Sequence, residues 1–285
     1  MVENDNRSTV YQKTIAHSFR VSGRGLHSGL QTTVYLNPAE ENKGIFFRVV
    51  QGKKQLLIPA LVEYACPSSR STSLSRCGFR VSTVEHLLAA CWLADLDNLE
   101  VIVEGEEIPG GNGRVSFWLE LLIENGFTIQ SAPREEILLP EWLVAKNRES
   151  FLFAFPAIEF RAWYFLDVID RSHFAQIIGI SEKDGLEEMA KARTFAFDWE
   201  IPQILQENIG QGVRDQALIL GNLGESAFSQ MSGEAAYHKL ADLVGDLMLV
   251  GVRVRGAFFG WRSGHSLNRE MARLIYRLRG IEDGN

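Results

Sequence analysis

Alternating apolar and polar positions are clearest at residues 32–36 (Thr32-Thr33-Val34-Tyr35-Leu36) and 99–104, a period of two that predicts half-buried β-strands. Residues 15–21 carry a shorter strand pattern, and 44–64 and 137–170 read as further strands, the latter rich in Phe, Ile and Trp. Between them, residues 82–92 have helical spacing, with Ser82 as N-cap and Glu85 closing a capping box. A second helix is predicted over 115–125, ending at Gly126, and a third over 184–194. Residues 252–259 read as one strand with partial alternation.

The most informative helix is Tyr237-His238-Lys239-Leu240-Ala241-Asp242-Leu243-Val244-Gly245-Asp246. His238, Asp242 and Asp246 then share one face, because residues four apart stack on a helix. An imidazole and a carboxylate one turn apart can close on one metal ion, and zinc suits that donor pair. A catalytic zinc takes three protein ligands, so one more must come from elsewhere. Glu85-His86 and His238-Lys239 each begin an apolar helix followed by a loop and a strand, which suggests two α+β halves around a shared cleft and His86 as the third ligand. The seam falls near residues 131–136, where turn-forming and charged residues follow the second helix.

Composition narrows the class. With 285 residues, 46% hydrophobic and 23% charged, the chain is globular, and a net charge of -7 argues against non-specific contact with nucleic acid or acidic membranes. Cys66, Cys77 and Cys91 form no Cys-x-x-Cys pair, so a reducing, cytoplasmic setting is expected, and no signal-like or membrane-spanning stretch is found. Three glycines around His27 predict a tight turn between antiparallel strands, with His27 read first as a turn residue. His173 reads as a loop residue, and Arg262-Ser263-Gly264-His265-Ser266-Leu267-Asn268 as a functional loop opening a helix.

Six motifs stand in one order: Gly25-Leu26-His27-Ser28-Gly29, Ser82-Thr83-Val84-Glu85-His86-Leu87-Leu88, Glu107-Ile108-Pro109, Ala192-Arg193-Thr194-Phe195, His238-Lys239 with Asp242 and Gly245-Asp246, and Ser263 to Asn268. In this order they resemble the UDP-3-O-acyl-N-acetylglucosamine deacetylases, zinc amidases of bacterial lipid A synthesis. The resemblance implies an α+β fold of two similar two-layer domains, ribosomal-protein-S5-domain-2-like, sandwiching the active site, here residues 1–131 and 132–285.

It also implies roles for single residues. His86, His238 and Asp242 match zinc ligands, with Fe2+ a second ion for the same site, and Glu85 matches the general base. His265 matches the general acid or oxyanion stabiliser and Asp246 the carboxylate orienting it. Thr194 and Lys239 match residues lining the site, while Phe195, Arg262 and His27 match substrate-side positions. The implied partner is UDP-3-O-acyl-N-acetylglucosamine, acted on by a monomer with no nucleic acid and no stable membrane insertion.

Departures from the family pattern bear on substrate contacts. The segment between His173 and Arg193 is short, the turn after Pro109 reads Gly110-Gly111-Asn112-Gly113, and a later loop reads Gly212-Val213-Arg214-Asp215-Gln216. The alternatives to the deacetylase are a paralogue acting on another N-acetylated sugar nucleotide and a non-catalytic metal-binding or regulatory protein.

Overall fold

The alternating run Leu99–Glu104 becomes the middle strand of a five-stranded sheet in the computed structural model, which describes residues 9–169, 171, 174–221 and 231–280. His173 lies outside the described residues. The chain opens with β1 (Tyr11–Ile15), β2 (Phe19–Arg24), β3 (Gln31–Pro38), β4 (Ile45–Gln51) and β5 (Lys54–Pro59). Next come β6 (Ala65–Cys66), β7 (Ser73–Arg76), β8 (Phe79–Ser82), helix α1 (Glu85–Leu93), β9 (Leu99–Glu104) and α2 (Val115–Glu124). The middle holds β10 (Phe127–Pro133), β11 (Glu136–Leu138), β12 (Leu143–Lys146), β13 (Phe151–Phe155), β14 (Arg161–Leu166) and β15 (Gln176–Ser181). Then follow α3 (Leu186–Lys191), β16 (Phe195–Phe197), α4 (Ile201–Gln206) and β17 (Leu218–Leu220). The chain closes with α5 (Glu234–Leu247), β18 (Arg253–Arg255), β19 (Ala257–Trp261) and α6 (His265–Leu278).

The first large sheet has the order β2-β3-β9-β4-β5 and the second β12-β13-β19-β14-β15. In both, the central strand pairs antiparallel with one neighbour and parallel with the other. In both, that strand is preceded by one helix and followed by another, so the repetition suspected from Glu85-His86 and His238-Lys239 is a repetition of topology.

The helices form the layer that both sheets share. Inward residues of the first sheet, among them Val34, Phe47 and Val101, join one buried cluster with Leu87 of α1, Trp118 of α2, Leu243 of α5 and Phe258 of β19. Helix α1 is buried along eight of its nine residues, which suits a sequence apolar on nearly every side. It packs directly on α5, with α2 beside α1 and α6 beside α5.

Four local expectations are corrected. Ser82 does not cap α1: it ends β8, where its hydroxyl accepts from Ser73 Oγ (2.9 Å), and Thr83 turns the chain at φ +63°. The helix starts at Glu85 behind Val84, with no side-chain cap, and the Glu85 carboxylate is left for other work. The strand expected at 15–21 is split between β1 and β2, because β1 pairs with β10 while β2 enters the large sheet. The helix expected over 184–194 is only Leu186–Lys191, ended where Ala192 becomes extended. Residues 252–259 make two strands, broken at Gly256, where a Cβ would sit 2.5 Å from Leu139 Cδ1. There the chain passes from a two-stranded ladder with β11 into the second large sheet.

Candidate metal centre and active site

His86 is the second residue of α1, and His238 and Asp242 lie one turn apart on α5, so the packing of these two helices brings all three together. All three are buried, and one ligand atom from each lies within 4.8 Å of the others. Asp242 Oδ1 is 3.8 Å from His86 Nε2 and 3.6 Å from His238 Nε2, beyond hydrogen-bond range. Donors bound tetrahedrally at roughly 2.0–2.2 Å stand about 3.4 Å apart, so three atoms facing a common point at these separations suit a small cation. The His238 ring stands edge-on to that of His86, with centroids 5.1 Å apart. Its other nitrogen, Nδ1, lies 3.3 Å from the Ala192 carbonyl oxygen, a contact that holds Nε2 toward Asp242.

The charges fit such a set. Burial, with His238 beside it, pushes His86 down to about 3, and burial also lowers His238, so both offer neutral lone pairs. Burial alone would raise Asp242, but Lys239 and the imidazoles hold it below the usual carboxylate range. Lys239 Nζ donates to Asp242 Oδ2 at 2.7 Å, leaving Oδ1 for the two histidines.

Around this centre stand two proton-handling groups. Glu85 Oε2 accepts from the Thr72 main-chain N–H at 2.9 Å, and burial pushes this carboxyl up to about 8 against the pull of His265, with Asp246 and Asp242 adding to the rise. His265 opens α6, its Nδ1 donates to Asp246 Oδ2 at 2.8 Å, and its Nε2 lies 3.7 Å from Asp242 Oδ2. Burial would lower the His265 pKa, but the Asp246 and Asp242 carboxylates outweigh it and hold the imidazole up at about 9. Asp246, fully buried, also accepts from Thr72 Oγ1 and Asn268 Nδ2.

Glu85, His86, His238, Lys239, Asp242 and His265 line one cavity of about 850 Å³, with His27, Thr194, Phe195 and Arg262 also on its wall. Thr194 is set by its main-chain N–H, which donates to the Gly113 carbonyl at 2.8 Å; a Cβ on Gly113 would meet Thr194 Cγ2 at 2.7 Å. The Phe195 ring is edge-on to His238 at 6.1 Å. His27 sits in the turn between β2 and β3, as its glycines predict, and its Nδ1 is buried without a hydrogen-bond partner. Arg262 takes φ +51° and reaches to within 3.7 Å of Glu149. An apolar arm of the cavity is built after Arg193, by Phe197, Ile201, Ile204, Ile209, Val213 and Ile219.

Sequence reasoning assigned no role to Thr72 or Glu107. Thr72 touches both carboxylates that matter, Glu85 through its N–H and Asp246 through its hydroxyl, yet it sits in a Ser/Thr run without periodicity. Glu107 accepts from the His27 and Ser28 N–H groups and from Thr83 Oγ1, clamping two loops with one carboxylate. Its place in Glu107-Ile108-Pro109 was the one signal available.

Comparison with known proteins agrees in extent. The family model described as LpxC, UDP-3-O-acyl N-acetylglycosamine deacetylase, matches residues 12–277. A UDP-3-O-acyl-N-acetylglucosamine deacetylase of Thermosynechococcus vestitus is 34% identical over 94% of this chain and 95% of its own. Proteins of the same name are 34% identical in Chlamydia pneumoniae, over 90% of this chain and 94% of theirs, and 30% identical in Syntrophotalea carbinolica, over 93% and 88%. With one match running from β1 to α6 and the cavity residues inside it, this chain belongs to the UDP-3-O-acyl-N-acetylglucosamine deacetylase family.

Proposed function

We propose that this chain is a zinc-dependent amidohydrolase that removes acetate from UDP-3-O-acyl-N-acetylglucosamine, the committed step of lipid A synthesis. The observation that carries the reading is the meeting, in one cavity, of the His86, His238 and Asp242 set with Glu85 and His265. The relatives bearing the deacetylase name support the substrate. Zinc, or Fe2+ in its place, held by that set would supply Lewis-acid activation of the amide carbonyl and attacking water, and its charge would draw the Glu85 pKa down.

The protein residues account for the rest. Glu85 takes the proton of the attacking water as the new C–O bond forms. Cationic His265, held by Asp246, faces the oxyanion together with the Thr194 hydroxyl. When the C–N bond breaks, the nitrogen needs a proton, and His265 supplies it. Lys239 and Arg262 on the wall give the cavity positive charge for a diphosphate, although the chain as a whole carries -7. The acyl chain lies along the apolar arm, with Phe195 and His27 flanking the sugar.

The same reading divides the chain into an N-terminal unit, residues 1–131, and a C-terminal unit, 132–285, each carrying one large sheet; β10 closes at Pro133, just past the seam. It describes a cytoplasmic monomer, and among the described residues no helix is long and apolar enough to cross a membrane. The deciding experiment is Glu85→Gln with acetate release and metal content measured on one sample. Turnover lost with metal retained is the expected result; undiminished turnover would sink the assignment.

A further inference from the structure

Thr72 is fully buried directly before β7 and carries no charge, yet its main-chain and side-chain polar groups all turn toward the site. The β7–β8 hairpin puts it there: Ser73 pairs with Ser82, so Thr72 comes to stand beside the start of α1. Its carbonyl accepts from the Val84 N–H at 3.2 Å, and its own N–H donates to Glu85 Oε2 at 2.9 Å. The main chain at this residue therefore holds both the entry to α1 and the carboxylate read as general base.

The hydroxyl works on the other half of the chain. Thr72 Oγ1 donates to Asp246 Oδ1 on α5, while His265 Nδ1 and Asn268 Nδ2 donate to Oδ2. The direction of the hydroxyl proton follows from its surroundings. Among the described residues, the other polar side-chain atoms in reach of Thr72 Oγ1 are His265 Nδ1 at 3.3 Å and Arg269 Nη1 at 3.5 Å. A guanidinium has no acceptor atom, and the Nδ1 hydrogen of His265 already goes to Asp246, so the carboxylate is the group that can take the proton. Branching at Cβ restricts χ1 of Thr72 as well. With Oδ1 tied down, the Asp246 carboxylate cannot turn about its Cβ–Cγ bond, and Oδ2 stays aimed at the His265 ring. Without the hydroxyl, Oδ1 becomes a buried charged oxygen lacking that donor, and the carboxylate turns to share the remaining ones.

We propose that Thr72 is a positioning residue for the reaction: its hydroxyl fixes the Asp246 carboxylate, and through it the His265 ring, while its N–H fixes Glu85. One residue thereby sets the group that takes a proton and the group that gives one. The inference rests on the roles of Glu85, Asp246 and His265 proposed above and adds the residue that orients them.

The test is a double-mutant cycle between Thr72→Val and Asp246→Asn, with kcat, KM and metal content measured on each protein. Valine keeps the N–H and the branched shape, so the hydroxyl is what is lost. Thr72→Val is expected to lower kcat about 10–100-fold, the range of a hydrogen bond to a charged group, with KM within about twofold and metal retained. In the Asp246→Asn background the same change is expected to cost less than about threefold, because the carboxylate it orients is gone. Thr72→Ser keeps the donor and restores most of the lost kcat. Thr72→Ala enters the same cycle with the same expectations, so the outcome does not depend on how valine packs. Equal losses in both backgrounds, a kcat in Thr72→Val equal to wild type, or a loss that Thr72→Ser does not repair would overturn the inference and leave the role of Asp246 standing. An Asp246→Asn chain as active as wild type overturns that role, and the inference with it.

Discussion

Gly245 on α5 stands against the main-chain carbonyl of Glu85 on α1, so closely that a Cβ on Gly245 would lie 2.1 Å from that oxygen. The close approach of the two helices carries His86 toward His238 and Asp242. In Gly245→Ala the helices must separate, at a cost of about 1–3 kcal/mol for overpacking. A fall in Tm of roughly 3–10 °C is expected in thermal unfolding. Metal content should fall with it, and wild-type metal binding in this variant would show that the helix contact does not hold the ligand set.

Asp246 accepts three hydrogen bonds, from Thr72 on Oδ1 and from His265 and Asn268 on Oδ2. An amide at this position removes the negative charge that keeps His265 cationic and leaves one acceptor oxygen where there were two, so Asp246→Asn weakens the hold on His265. The expected result is a kcat lower by about 10²–10⁴ with unchanged metal stoichiometry. A kcat within a factor of a few of wild type would remove Asp246 from the proposed machinery.

Metal removal has its own signature. A dication that binds the folded chain at 1,000 times its Kd adds about 4 kcal/mol of stability, so chelation should lower Tm and zinc should restore it. In His238→Ala both shifts vanish, because Asp242 and His86 alone leave the set incomplete. Equal chelator sensitivity in that variant would place the metal elsewhere.

Glu107 binds three donors with one carboxylate, none of them part of the ligand set. Glu107→Gln leaves two N–H groups and a hydroxyl competing for one oxygen, at a cost of about 1–3 kcal/mol. A lower Tm is expected, with the metal retained and turnover reduced because the His27 turn lines the cavity. Unaltered stability would mean that main-chain bonds suffice, those of the His27 turn to residues 211 and 212 and those of Ser82 to residues 106 and 108.

Much was legible before any coordinates. Periodicity of two placed Leu99–Glu104 in a sheet, periodicity of four stacked His238, Asp242 and Asp246 on α5, and Gly126 ended α2 where expected, at φ +70°. These are local properties, set by which way successive side chains point. The likeness of Glu85-His86 to His238-Lys239 was also readable and corresponds to a repeated topology, but only the first pair begins its helix: α5 starts at Glu234, one turn before His238.

The tertiary structure alone decided what lies between distant segments. Ser82 and Glu85 have the spacing of a capping box, but a left-handed Thr83 and a hydroxyl bond to Ser73 override it and turn the Glu85 carboxylate into the cleft. That Thr72 stands between Glu85 and Asp246, and that Glu107 spans two loops, could not be read locally, because each depends on packing between residues far apart in the chain. Sequence spacing determines the face a residue occupies; packing determines what that face meets.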